Sequence, residues 1–240
     1  MLSTKNPDIF VNRLLAKLSD DDHQKILANC ESVELNLAEV INEPGERIRY
    51  VYFPTDSFVS LVTPANGHAG LEVSLVGNEG MIGTPLILGV AVTLLRTFVQ
   101  GAGPAWRMTP EYFSDLLGQK SALQAILNRY LYVLTIQMAQ MVACTRFHIV
   151  EMRLARWLLM TQDRAHSDHF HVTHEFLAFM LGVRRVGVTK AASALQQRKL
   201  IRYSRGDITV LDRAGLIIAS CGCYGAAETL YDQILGDYEQ

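Results

Sequence analysis

The chain has 240 residues, 22 Lys plus Arg against 24 Asp plus Glu, and a formal net charge of −2, with 49% apolar and 19% charged residues. This excludes a disordered chain, which needs few apolar residues and a large net charge. It also excludes a membrane-spanning helix, because no run of about 18 uncharged apolar residues occurs.

Length fits one large or two modest domains. Asp8 and Asn12 fall where a signal peptide needs an apolar core, which points to a cytoplasmic chain. Cys30, Cys144, Cys221 and Cys223 form no disulfide framework, in keeping with a reducing compartment. Charge is unevenly spread. Residues 1–145 are net −4, residues 214–240 are net −4, and residues 146–213 are net +6, with twelve basic against six acidic side chains. A positive segment on a near-neutral chain suits an anionic partner for that region, or else is a solvated helix face.

In chain order, residues 8–30 read as helical: Phe10, Leu14, Leu15 and Leu18 share a face, and Ser19 followed by three aspartates opens a second helix. From 33 to 108 the texture becomes β. Runs at 32–35, 49–53, 58–62, 71–76, 97–100 and 105–108 alternate with Pro44-Gly45, Pro54-Thr-Asp56, Asn66-Gly67, Gly77-Asn78 and 101–104. Short strands with such breakers predict an antiparallel sandwich or jelly roll, and the lack of alternating helices disfavours a parallel sheet.

Thr109-Pro110-Glu111 is a helix start, and 119–148 lacks Gly and Pro. Leu123, Leu127, Tyr130, Leu134, Met138 and Met141 are spaced 4, 3, 4, 4 and 3, one apolar residue per turn. This stripe either covers the sheet or forms the seam of a homodimer, and the seam is the reading adopted, because Ile126, Leu131 and Val133 on another face can cover the sheet.

Residues 173–195 carry the most information. Thr173 can cap a helix with Glu175 in its first turn, and Leu177, Met180 and Leu181 share its inner face. Gly182 can turn the chain at positive φ. A second helix follows with Val188, Ala192 and Leu195 inward, which leaves Arg184, Arg185, Thr189, Lys190 and Ser193 outward. Such side chains, with Thr173 at the head of the first helix counted among the DNA-contacting residues, suit the major groove of double-stranded DNA: Arg and Lys to guanine, Thr to a thymine methyl. Residues 195–203, the turn Ser204-Arg-Gly-Asp207 and the run 208–211 predict a basic hairpin, a wing that sets Arg202 and Arg205 beside phosphates.

This order of parts resembles the Crp/Fnr family of bacterial transcription regulators over roughly residues 10–215. The resemblance implies an α+β fold: an N-terminal antiparallel, cyclic-nucleotide-binding-like β-roll (residues 1–110), a long dimerisation helix (111–148) and a C-terminal winged helix-turn-helix (149–240). Glu43-Pro-Gly-Glu46 and Tyr52-Phe-Pro-Thr-Asp-Ser-Phe58 look like early roll strands. By similarity, Arg185, Val186 and Lys190 fall where the family reads bases. Gly77-Asn-Glu-Gly-Met-Ile-Gly83 looks like the phosphate cassette of cyclic-nucleotide-binding members, so Gly80, Met81, Ile82, Gly83, Arg96 and Thr97 are the candidate effector residues. Met81 stands where the ribose-binding Glu belongs, which speaks against a cyclic nucleotide, and the N-terminal cysteine cluster of the iron–sulfur members is absent. The resemblance implies a sequence-specific DNA-binding regulator that answers a small-molecule effector through the roll and contacts RNA polymerase. The alternative is a ligand-binding module whose winged helix contacts proteins.

His166, His169, His171 and His174 read as a polar loop rather than a metal site, and Cys221-Gly-Cys223 lacks the usual two-residue gap. Cys144 and His148 read as core or seam, so no metal ligands are assigned. No Gly-x-Ser-x-Gly, Walker loop or metalloprotease helix motif occurs, and an enzyme is not expected.

Overall fold

The computed structural model describes residues 11–65, 68–118 and 122–236. Asp8, Phe10, the Asn66-Gly67 turn and Gln119 lie outside the described residues. The chain forms two compact units: residues 1–61 with 75–132, and residues 62–74 with 133–240. The expected borders at 110 and 148 are thus replaced by a hairpin that changes unit along its length and a helix that does so once.

In the first unit, Leu14, Leu15 and Leu18 are buried in a lead-in that contains a 3-10 turn, Leu15–Lys17. Helix α1 (Asp20–Leu27) follows, with the Ser19 hydroxyl accepting from the Asp22 amide. The roll has seven strands: β1 (Glu31–Leu35), β2 (Val40–Asn42), β3 (Val51–Pro54), β4 (Phe58–Ala65), β5 (His68–Val76), β6 (Arg96–Gly101) and β7 (Gly103–Met108). One sheet runs β1-β7-β3, antiparallel throughout, and the other β2-β6-β4-β5. Alternate inward residues such as Val51, Phe53, Val59 and Val99 make its core. Strand β2, absent from the sequence reading, is three residues long and pairs with β6 through a register shift.

Helix α2 (Pro110–Gly118) opens at Thr109, and α3 runs over Ala122–Phe147, both inside the helical stretch expected over 111–148. The predicted stripe on α3 is corrected. Leu123, Leu127, Tyr130, Leu134 and Met141 are buried within the chain and Met138 half-buried, so they serve its own core and are not free to line a seam.

The second unit contains α4 (Val150–Ala165), β8 (His169–His171), α5 (His174–Leu181), α6 (Arg185–Gln197), β9 (Ile201–Ser204), β10 (Asp207–Val210), α7 (Arg213–Ala219) and α8 (Cys223–Leu235). Here the outer half of the β4–β5 hairpin supplies Glu72, 2% exposed, whose carboxylate accepts from the Trp157 indole at 3.0 Å. No helix among the described residues is long and apolar enough to cross a membrane.

Candidate nucleic-acid interface

Two short helices and a three-stranded sheet build this surface. The Thr173 hydroxyl caps α5 by accepting from the Phe176 amide at 3.1 Å. Leu177, Met180 and Leu181 turn inward, as their spacing predicts. Gly182 ends the helix in the left-handed region, φ 61°, and a Cβ there would approach Leu71 to 2.9 Å. Glycine is therefore required twice over, by backbone angle and by space.

Helix α6 buries Val188, Ala191, Ala192 and Leu195. Arg184, Arg185, Val186, Thr189, Lys190 and Ser193 are all exposed, and positions 186, 189, 190 and 193 follow helical spacing down one face. The helix N-terminus adds its positive dipole end beside Arg184 and Arg185. The Thr189 hydroxyl donates to the Arg185 carbonyl and meets His174 Nδ1, each at 3.1 Å, which leaves its methyl group as the outward feature. The His174 ring stacks on Tyr203 of β9 with centroids 4.3 Å apart. Burial, then the nearby Arg185 charge, lowers the His174 pKa from 6.5, which favours the neutral imidazole.

The wing is β9 and β10 joined by Arg205-Gly206, with φ of 53° and 94°, the two positive angles of a type I′ hairpin. Arg202 and Arg205 are exposed. The histidine segment 169–171, read from sequence as a loop, is instead strand β8 on the far side of β10. Its side chains serve the sheet: His171 Nδ1 lies 3.0 Å from Asp207 Oδ1, and His169 Nδ1 lies 3.4 Å from Thr209 Oγ1. His174, overlooked as a contributor, carries no motif; only its stacking and its bond to Thr189 reveal it.

The candidate effector residues in the roll are differently placed. Gly80, Met81, Ile82, Gly83 and Thr97 are buried, and Met81 is fully so. The amides of Gly80, Met81 and Ile82 donate to the Gly77 carbonyl, the Tyr130 hydroxyl and the Tyr52 carbonyl. A Cβ at Gly80 would fall 2.2 Å from the Tyr130 oxygen, so that phenol occupies the space beside the glycine. Arg96 reaches Glu43, Nε to Oε1 3.2 Å. The segment thus resembles a phosphate cassette in sequence, but three of its amides bond within the chain and its arginine faces a carboxylate.

The buried cysteines gather elsewhere. Cys144 and Cys221 have their sulfurs 3.5 Å apart, and the Cys221 hydrogen bond, helped by Arg156 against the cost of burial, pulls the Cys144 thiol down to about 5. The same bond, together with burial, pushes Cys221 up.

Residues 152–217 match a family described as the Crp-like helix-turn-helix domain. No curated protein matches the sequence. Among solved structures, a transcriptional regulator of the Crp/Fnr family from Eubacterium rectale aligns with TM-score 0.68 at 17% identity over 86% of this chain and 96% of its own. FixK2 from Bradyrhizobium japonicum gives 0.67 at 13%, over 80% and 98%. The c-di-GMP-responsive global regulator CLP of Xanthomonas campestris gives 0.65 at 13%, over 80% and 99%. Residues 152–217 are thus a Crp-like helix-turn-helix domain, carried in a chain that has the fold of the Crp/Fnr transcriptional regulators.

Proposed function

We propose that this chain is a sequence-specific DNA-binding transcription regulator that works as a homodimer. The observation that carries the reading is the exposed face of α6, where Arg184, Arg185, Val186, Thr189, Lys190 and Ser193 stand clear of a fully apolar inner face, with Arg202 and Arg205 on the adjoining wing. Guanidinium and ammonium groups at a helix N-terminus suit guanine edges in the major groove, and Val186, 56% exposed, offers an apolar contact for a thymine methyl. The wing arginines suit phosphates, which fix register without reading sequence. In the dimer, two such helices meet successive major grooves about 34 Å apart on a near-palindromic site.

The dimer is proposed to form along the solvent face of α3. Ala125, Asn128, Tyr132, Thr135, Ala139, Val142 and Arg146 are all exposed and spaced 3, 4, 3, 4, 3 and 4. That is a heptad seam, with small residues that permit close helix approach and an Asn that can fix register. The roll is the regulatory part, contact with RNA polymerase belongs to the same reading, and a cyclic nucleotide cradled at residues 80–83 is disfavoured, because the amides of Gly80, Met81 and Ile82 are already bonded.

The test is selection of bound sequences from a random duplex pool with the full chain, followed by titration of the selected site. Arg185→Ala should cost about 1–3 kcal/mol on that site and little on random DNA. Arg205→Asn removes the charge while keeping a residue that tolerates the left-handed turn, and it should lower the salt slope by about one on all DNA. Equal losses on both kinds of DNA for Arg185→Ala would refute base reading. An absence of any sequence preference in the pool would favour a winged helix that contacts proteins.

A further inference from the structure

Three cysteines and a histidine that are far apart in sequence converge in the second unit. Cys144 and His148 lie four residues apart at the end of α3, where the His148 amide still donates to the Cys144 carbonyl at 3.1 Å, so both share one face. Cys221 and Cys223 flank Gly222 at the junction of α7 and α8. One ligand atom from each of the four lies within 4.8 Å of the others. We propose that Cys144, His148, Cys221 and Cys223 form a tetrahedral site for a thiolate-preferring divalent cation, zinc, which pins the C-terminal helices to the α3–α4 corner.

Three observations support this. The first is distance. With Zn–S about 2.3 Å and Zn–N about 2.0–2.1 Å, tetrahedral edges are about 3.8 Å between sulfurs and about 3.5 Å between sulfur and nitrogen. Cys144 Sγ to Cys221 Sγ is 3.5 Å, and Cys223 Sγ to His148 Nδ1 is 3.6 Å. The second is charge. Arg153 and Arg156 are 5% and 6% exposed, and the Nε of each is buried without a hydrogen-bond partner. Their other contacts are neutral, the Leu181 carbonyl for Arg153 and the Met141 sulfur for Arg156, and neither forms an ion pair with a carboxylate among the described residues. Buried cations require a counter-charge. Three thiolates and an imidazole on a divalent ion carry one net negative charge, which offsets half of the positive charge on this pair of guanidiniums. The third is the surrounding shell. The Gln140 amide donates to Cys223 Sγ at 2.9 Å, an outer hydrogen bond of the kind that orients metal-bound sulfur.

Partly exposed His148 and three buried sulfurs give a closed ligand set, which fits a structural rather than a catalytic ion. The proposal stands independently of the DNA reading. The full chain, purified under reducing conditions, should hold one zinc per chain by elemental analysis. Replacement by cobalt should produce the visible bands of a tetrahedral ion and a thiolate-to-cobalt charge-transfer band. Cys223→Ser should weaken cobalt binding by more than the roughly 10–100-fold that loss of an outer-shell partner costs. Should that variant fail to fold, His148→Gln at the partly exposed position serves the same purpose, and the wild-type cobalt spectrum needs no variant. A reduced wild-type chain that takes up no cobalt would overturn the proposal. So would cobalt bands that persist in His148→Gln and Cys223→Ser, bound iron with sulfide, or a Cys144–Cys221 disulfide in protein kept reduced.

Discussion

At the scale of single residues, His174 joins the helix-turn-helix to its wing: its ring stacks on Tyr203 and its Nδ1 meets the Thr189 hydroxyl. Its folded pKa lies below 6.5, through burial first and Arg185 second. The unfolded chain therefore takes up the proton first as pH falls. The contribution of His174 is complete above 6.5 and is lost as pH drops below it towards the depressed folded value. Thermal denaturation between pH 8 and pH 5 should show wild-type stability falling more steeply below 6.5 than that of His174→Phe, which keeps an aromatic ring on Tyr203 but cannot titrate. Parallel pH profiles would separate His174 from the acid sensitivity. Single residues were legible in the sequence where local geometry alone dictates them. Thr173 as a cap and Gly182 as a left-handed turn needed nothing but the neighbouring chain. The partners of His174 come from residues 15 and 29 positions away, and no local pattern encodes them.

At the scale of elements, six of the seven roll strands and the α5–α6 pair follow from runs and breakers, because their periodicity is undisturbed. Helix α4 was not read from the sequence; its buried residues include Arg153 and Arg156 beside Leu154, Ala155, Trp157 and Leu158, charges that would ordinarily mark a solvent face. Strand β8 is a His-Phe-His segment made a strand by pairing with β10 rather than by propensity. On α3 the apolar stripe was read correctly as a stripe but assigned to the wrong neighbour. The most apolar face serves the chain's own core, and the fainter heptad of small and polar residues is what solvent meets. Val142, 72% exposed, tests this. Val142→Glu should change folding stability by no more than about 0.5 kcal/mol, the usual range for a surface change, yet convert dimers to monomers in sedimentation equilibrium. Leu127→Ala, at a fully buried position, should cost about 2–5 kcal/mol and leave the association state unchanged. A Val142→Glu chain that stays dimeric would move the seam off this face.

At the scale of the whole molecule, the order roll, long helix, winged helix was legible, because each segment keeps one periodicity over many residues. The borders were not. Compactness follows contacts rather than chain order, and residues 62–74 count with residues 133–240 although the 58 residues 75–132 intervene in sequence. The Glu72–Trp157 hydrogen bond and the close approach of Leu71 to Gly182 are the local expression of that grouping. A C-terminal fragment cut at any point after β7 would discard this borrowed hairpin. It would leave the Trp157 indole without its acceptor and bare the helix-turn-helix where Leu71 had covered it, so the winged helix-turn-helix is not a detachable cassette, and grafting it onto another protein requires transplanting thirteen residues of the β4–β5 hairpin as well.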